Sequence, residues 1–149
     1  MPKANTRGVI LAGSAEEIEV AFYEALQTGD IEQLMACWGD EDEIVCVHPG
    51  GSRLIGAAAI RASFELLFAN GPIQAWPERV RKLESLGCSV HSVIERIGVT
   101  AQSGVNQVSV VATNVYLKTA LGWRMVAHHA NPGGEMDGAD VGVIPELLH

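Results

Sequence analysis

A chain of 149 residues, 48% apolar and 19% charged, has material for one domain with a sizeable core. Its net charge of −8 argues against an extended nucleic-acid or anionic-membrane surface. Its three cysteines, Cys37, Cys46 and Cys88, are odd in number and lack Cys-x-x-Cys spacing, so reduced thiols and a cytoplasmic setting are expected rather than a disulfide or metal framework. No stretch approaches a membrane span, and the apolar run at 9–12 is too short for a signal-peptide core.

Residues 1–13 read as a lead-in. Ser14 followed by Glu17 is a capping box that opens a helix. Ile18, Phe22 and Leu26 give it one apolar face, and Gly29 closes it. Asp30 caps a second helix, with Ile31, Leu34, Met35 and Trp38 as its buried face and Gly39 as its stop. The acidic run at 40–43 is a solvated loop, because adjacent like charges seek water.

The most informative stretch is Cys46-Val47-His48-Pro49-Gly50-Gly51. An apolar run at 44–47 reads as a buried strand, and the proline ends it at His48. Two glycines then allow a sharp turn, so His48 stands at a strand end, where working residues often sit. A short return strand at 53–56 and a third helix at 57–70 follow, the helix burying Ile60, Phe64, Leu67 and Phe68 and ending at Gly71-Pro72. From there the pattern is β: strands at 73–86, 88–100, 107–119 and 122–131, the first bulged or at an edge near Pro77. Short connections imply an antiparallel meander. The fold class is therefore α+β, three helices packed in a strongly curved antiparallel sheet that leaves a cavity. Residues 14–132 form the domain, and 133–149 form a C-terminal tail too apolar to be idle.

The order of elements resembles the nuclear transport factor 2-like superfamily, and its SnoaL-like (polyketide-cyclase-like, ketosteroid-isomerase-like) branch in particular. The carrying residues are Phe22-Tyr23-x-Ala25 leading to Gly29-Asp30, then Trp38, His48-Pro49-Gly50-Gly51 and Leu54-x-Gly56-x-x-x-Ile60. Val90-His91-Ser92-Val93-Ile94-Glu95, Ala112-Thr113-Asn114-Val115-Tyr116 and the run from Gly122-Trp123 to Asn131-Pro132 complete them. The resemblance implies a cone-shaped fold. Steroid isomerases of the superfamily place a base carboxylate before a proline at the first strand's end, and His48 matches that position. Their acidic donor matches Asn114, and their tyrosine donor matches Phe22. With one donor missing and an acid replaced by an amide, steroid isomerisation itself is not expected. A histidine base remains suitable, since its ordinary pKa is about 6.5.

Alternation puts His91 and Glu95 on one strand face, as a relay pair in the cavity, a structural hydrogen bond or part of a subunit contact. An ideal two-residue turn at Ala120-Leu121 sets Tyr116 opposite Met125, Asn114 opposite Ala127 and Ala112 opposite His129. That register assigns His129 to the cavity and His128 to the opposite face. The catalytic set is then His48, Asn114 and Glu95, with Phe22, Trp38, Tyr116 and His129 lining the ligand. A His48–His129 metal pair lacks a third ligand, so no metal is expected. No nucleotide-binding glycine motif appears, so no cofactor is expected. The expected activity is that of a cofactor-free lyase or isomerase acting on a small apolar carbonyl compound, with His48 as base. The rival readings are a non-catalytic ligand-binding module and a homo-oligomeric assembly domain, resembling the association domain of calcium/calmodulin-dependent protein kinase II. A homodimer through the outer sheet face is expected, because residues 108–117 are apolar or β-branched on both faces.

Overall fold

The computed structural model of the chain describes residues 13–101 and 104–133. The expected lead-in and tail therefore lie outside the described residues, apart from Gly13 and Gly133. Helix α1 (Ala15–Thr28) begins where Ser14 accepts a hydrogen bond from the Glu17 backbone N–H at 3.1 Å. It ends at Gly29, whose φ of 68° is the left-handed closing conformation. Ile18, Phe22 and Leu26 are buried as their spacing requires, and so are Glu19 and Tyr23, one position round the helix.

Asp30 caps α2 (Ile31–Ala36) by accepting from the Gln33 N–H at 3.0 Å. The helix stops earlier than its pattern suggests. Trp38 has left it to form a parallel bridge with Met125. The Gly39 N–H reaches the Met125 carbonyl, and the Met125 N–H reaches the Cys37 carbonyl, both at 2.8 Å. Strand β1 (Val45–Val47) and β2 (Arg53–Ile55) form a short antiparallel hairpin, and α3 (Ala57–Phe68) follows. Then come β3 (Ala75–Glu84), β4 (Cys88–Ala101), β5 (Gly104–Thr119) and β6 (Gly122–Pro132).

The six strands make one curved sheet in the order β2-β1-β6-β5-β4-β3. The meander from β3 to β6 is antiparallel, as expected. The sheet is nevertheless mixed, because β1 lies parallel to β6. Strand patterns disclose that a strand exists, not which edge it joins. Strand β3 is an edge strand, and its irregularity falls between Glu78 and Arg81, just past Pro77. One hydrophobic core joins the α1 face, Leu34, Ile60 and Phe64 to Val93, Tyr116 and Met125 of the sheet.

Strand β6 departs from the ideal hairpin register at one residue. Tyr116 pairs with Met125 as expected, but Val115 pairs with Ala127, which leaves Val126 as an extra residue in a bulge. Beyond it every pairing moves by one: Asn114 faces His128, Thr113 faces His129 and Ala112 faces Ala130. A slip of one residue exchanges the two sides of a strand. His128 is buried on the Asn114 side, and His129 is exposed on the other. The expected placement of these two histidines is thereby reversed.

Candidate functional site

Between α1, α3 and the inner sheet face lies a cavity of about 310 Å³. That is the low end of the range for small-molecule sites. Its apolar lining includes Leu26, Phe64, Leu67, Ile73 and Ile97; its polar lining is His48, Glu95 and His128. A larger depression of about 530 Å³ runs along β3 and β4, where Arg81, Lys82 and Leu83 are exposed. The smaller cavity stands out because two of its polar groups, Glu95 and His128, are buried and His48 is half-buried.

His48 follows β1 directly, and its ring meets the Phe64 ring edge-on with centroids 4.8 Å apart. Its Nε2 is 3.0 Å from the Ser63 hydroxyl, which donates to the Ile60 carbonyl at 2.7 Å. A hydroxyl has one proton to give. Ser63 must therefore accept from His48, which fixes the Nε2–H tautomer and leaves Nδ1 as the basic atom. Burial holds the His48 pKa below its ordinary value, so the ring is neutral near pH 7.

Glu95 is 4% exposed. One of its oxygens accepts from the Tyr23 hydroxyl at 2.7 Å. Burial pushes its pKa up to about 7; the Tyr23 bond opposes this and the Glu19 charge adds to it. Tyr23 in turn accepts from the Asn114 amide N–H at 3.1 Å. The same amide nitrogen reaches Glu19 at 3.4 Å, and Tyr116 donates to Glu19 at 2.8 Å. His91 Nδ1 lies 2.9 Å from Glu19, and His91 Nε2 lies 2.9 Å from Ser89. His128 places Nδ1 2.6 Å from the Asn114 carbonyl oxygen and Nε2 4.0 Å from Glu95. Burial, reinforced at low pH by repulsion from protonated His48 and His129, carries the His128 pKa down to about 3, so this ring is neutral as well.

Of the residues singled out from sequence, His48 and Glu95 border the cavity. Asn114 and Tyr116 are fully buried in the polar network behind it. Phe22 is fully buried against His128, Tyr23 and Phe64. Trp38 is buried beside Met125, and its indole N–H is the one buried side-chain polar atom without a partner among the described residues. His129, expected at the ligand, is exposed, so the His48–His129 metal pair does not converge. His91 and Glu95 do share the inner face, but each bonds a different α1 side chain, Glu19 or Tyr23. A cluster of Glu16, Glu84 and His91 brings potential metal ligands within 4.8 Å of one another. The Lys82 ammonium already answers that charge, 2.9 Å from Glu16.

Sequence reading missed Glu19, Ser63, Tyr23 as a hydrogen-bonding group, and His128 as a cavity residue. A signal for the α1 pair existed. Glu19 and Tyr23 stand four apart, one position beyond the stripe of Ile18 and Phe22, so a broad buried face takes them in.

A cone of helix and curved sheet enclosing a cavity with a buried carboxyl and two neutral imidazoles defines a class of α+β proteins with a pocket-bearing interior. The chain belongs to the SnoaL-like domain family, which matches residues 16–132, and so to the nuclear transport factor 2-like superfamily. A candidate calcium/calmodulin-dependent protein kinase type II association domain from Thiobacillus denitrificans is 32% identical, with a TM-score of 0.74 over 81% of this chain and 96% of that one. A candidate dehydratase of the NTF2-like family from Streptomyces avermitilis is 31% identical, with a TM-score of 0.68 over 77% of this chain and 91% of that one. The calcium/calmodulin-dependent protein kinase II hub of S. rosetta, 18% identical with a TM-score of 0.64 over 81% of this chain and 98% of that one, shares the fold. No curated protein matches the chain. Among the described residues, no helix is long and apolar enough to cross a membrane.

Proposed function

We propose that the cavity binds a small, mostly apolar carbonyl compound and moves protons on it, as a cofactor-free isomerase or lyase does. One observation carries this reading: His48 and Glu95 border the same cavity, and burial displaces their pKa values in opposite directions. A neutral imidazole beside a carboxyl that titrates near 7 is a base beside an acid at physiological pH. His48 Nδ1 takes a proton next to the carbonyl. Protonated Glu95 donates to the oxygen on which negative charge develops. Asn114 acts through Tyr23 and His128, and Phe22, Tyr116 and Trp38 support the wall. The apolar lining and the volume of about 310 Å³ favour a compact ligand.

The test is exchange of α-protons for deuterium, followed by NMR across a panel of small neutral ketones and enones. The wild-type protein accelerates exchange for at least one compound. His48→Ala and Glu95→Gln each lower that acceleration by about 10²–10⁴-fold, the usual contribution of a general acid or base. Compounds that bind without faster exchange would leave a ligand-binding module in place of an enzyme.

The 32% identity to a candidate association domain favours a second reading, homo-oligomeric assembly, compatible with the first. We infer a homodimer through the outer sheet face, where Trp76, Leu83 and Leu117 are exposed. Sedimentation showing only monomer at micromolar concentration removes it.

A further inference from the structure

The hydrogen bonds behind the cavity run in one direction. Glu19 takes donors from Tyr116 and from the Asn114 amide nitrogen, so the Asn114 carbonyl must turn the other way, toward His128. A carbonyl oxygen only accepts. His128 Nδ1 therefore carries the proton, and its Nε2 is bare. The Asn114 nitrogen also donates to Tyr23, so the Tyr23 proton goes forward to Glu95. Apart from the proton that Glu95 itself takes up near pH 7, every proton in the network is spent away from the cavity.

What faces the ligand is a set of acceptors. His128 Nε2 has no hydrogen-bond partner among the described residues, although its side chain is 6% exposed, and its nearest polar neighbour is Glu95 at 4.0 Å. Glu95 has one oxygen on Tyr23 and the other without a partner among the described residues. His48 gives its proton to Ser63. Among the described residues, no lysine or arginine lines the cavity.

We propose that the ligand of this cavity carries a hydrogen-bond donor, a hydroxyl or ammonium group on an apolar body, and turns it toward His128 Nε2 and Glu95. The inference rests on the cavity being a ligand site, and it narrows the carbonyl compound to one that also bears such a donor. A ligand with acceptors alone would cover the lone pairs of His128 Nε2 and Glu95 without meeting them, and an anion meets no cation and faces the Glu95 charge. The groups that set this field are Glu19 and Tyr23 from α1, His48 after β1, Asn114 and Tyr116 from β5, and His128 from β6. Glu95, with a pKa near 7, is itself a donor when protonated, so the preference is sharpest above that pH.

The test is calorimetric titration at pH 8.5 with 2-phenylethanol, 2-phenylethylamine, benzyl methyl ether and phenylacetate. The alcohol and the amine bind about tenfold tighter than the ether, the size of one net hydrogen bond, and phenylacetate binds weakest. An amine advantage over the alcohol that vanishes in Glu95→Gln assigns the donor to an ammonium; equal affinity assigns it to a hydroxyl. In protein labelled with 15N-histidine, the His128 Nε2 resonance moves with the alcohol and not with the ether, a readout that needs no variant. An ether that binds as well as the alcohol, a still His128 resonance, or a tightest-binding phenylacetate overturns the proposal while leaving the ligand cavity standing. Failure of the whole series to bind overturns the cavity reading, and the proposal with it.

Discussion

Glu95→Gln separates the electrostatics of the site from its packing. Glutamine keeps the shape and an oxygen for the Tyr23 hydroxyl, and it imitates the protonated carboxyl. Glu95 titrates at about 7 in the fold against an ordinary 4.5. A carboxyl whose folded pKa is raised gives its full stability below the unfolded value, and that stability is lost as pH rises through the folded one. A gap of about 2.5 pH units at about 1.36 kcal/mol each makes the loss about 3 kcal/mol, complete near pH 8. The two proteins should then have similar stability at pH 4.5, and the variant should exceed wild type by about 3 kcal/mol at pH 8.5. Urea unfolding followed by tryptophan fluorescence measures this, with the three tryptophans as reporters. Taking the difference between proteins removes the contribution of His128, which both share. A difference that stays flat from pH 4.5 to 8.5 refutes the buried, uncompensated carboxyl and with it the acid assigned to the site.

The same titration of wild type should show an acid limb. His128 has its folded pKa lowered from 6.5 to about 3, so its contribution is present above 6.5 and lost as pH falls toward 3; Glu95 offsets this between 4.5 and 6.5, and stability should fall only below about 4.5. Gly29→Ala should cost about 1 kcal/mol in urea unfolding, because φ is 68° and the added Cβ meets Pro72 at an ordinary 3.6 Å, so the cost is backbone strain and not a clash. Tyr23→Phe should cost about 1–3 kcal/mol at pH 8.5 and less at pH 4.5, since the lost hydroxyl favours ionised Glu95; an equal cost at both values contradicts the direction of that bond.

The helix ends and the fold were legible because each rests on local chemistry. Ser14, Gly29 and Asp30 act through atoms within four residues of themselves, so their spacing alone discloses them. His48 was legible for a similar reason: a proline and two glycines after an apolar run leave few other conformations. The parallel pairing of β1 with β6 was not legible, since it joins residues about eighty apart through backbone groups that every sequence carries. Glu19 was hidden because a glutamate on a helix is ordinarily solvated, and only the sheet side chains reaching it, Tyr116, His91 and Asn114, make it an interior group.

The exchange of His128 for His129 shows how one tertiary contact decides which imidazole reaches the cavity. The ideal count from the Ala120-Leu121 turn holds as far as Met125. There the backbone of β6 is bound by Cys37 and Gly39, and two residues later, at Ala127, by β1. Val126 lies at the seam between these two partners, and the strand absorbs the mismatch as a bulge. Nothing at Val126 announces this, since the cause lies in the path of residues 37–45. Without the bulge, Asn114 would face an alanine and its carbonyl would have no imidazole to orient. With it, the Asn114 amide becomes the group that fixes the His128 tautomer. Above the pKa of Glu95 the proposed site then waits for a hydrogen bond, and the identity of residue 114 bears on the proposed ligand through His128 and Tyr23, without contact.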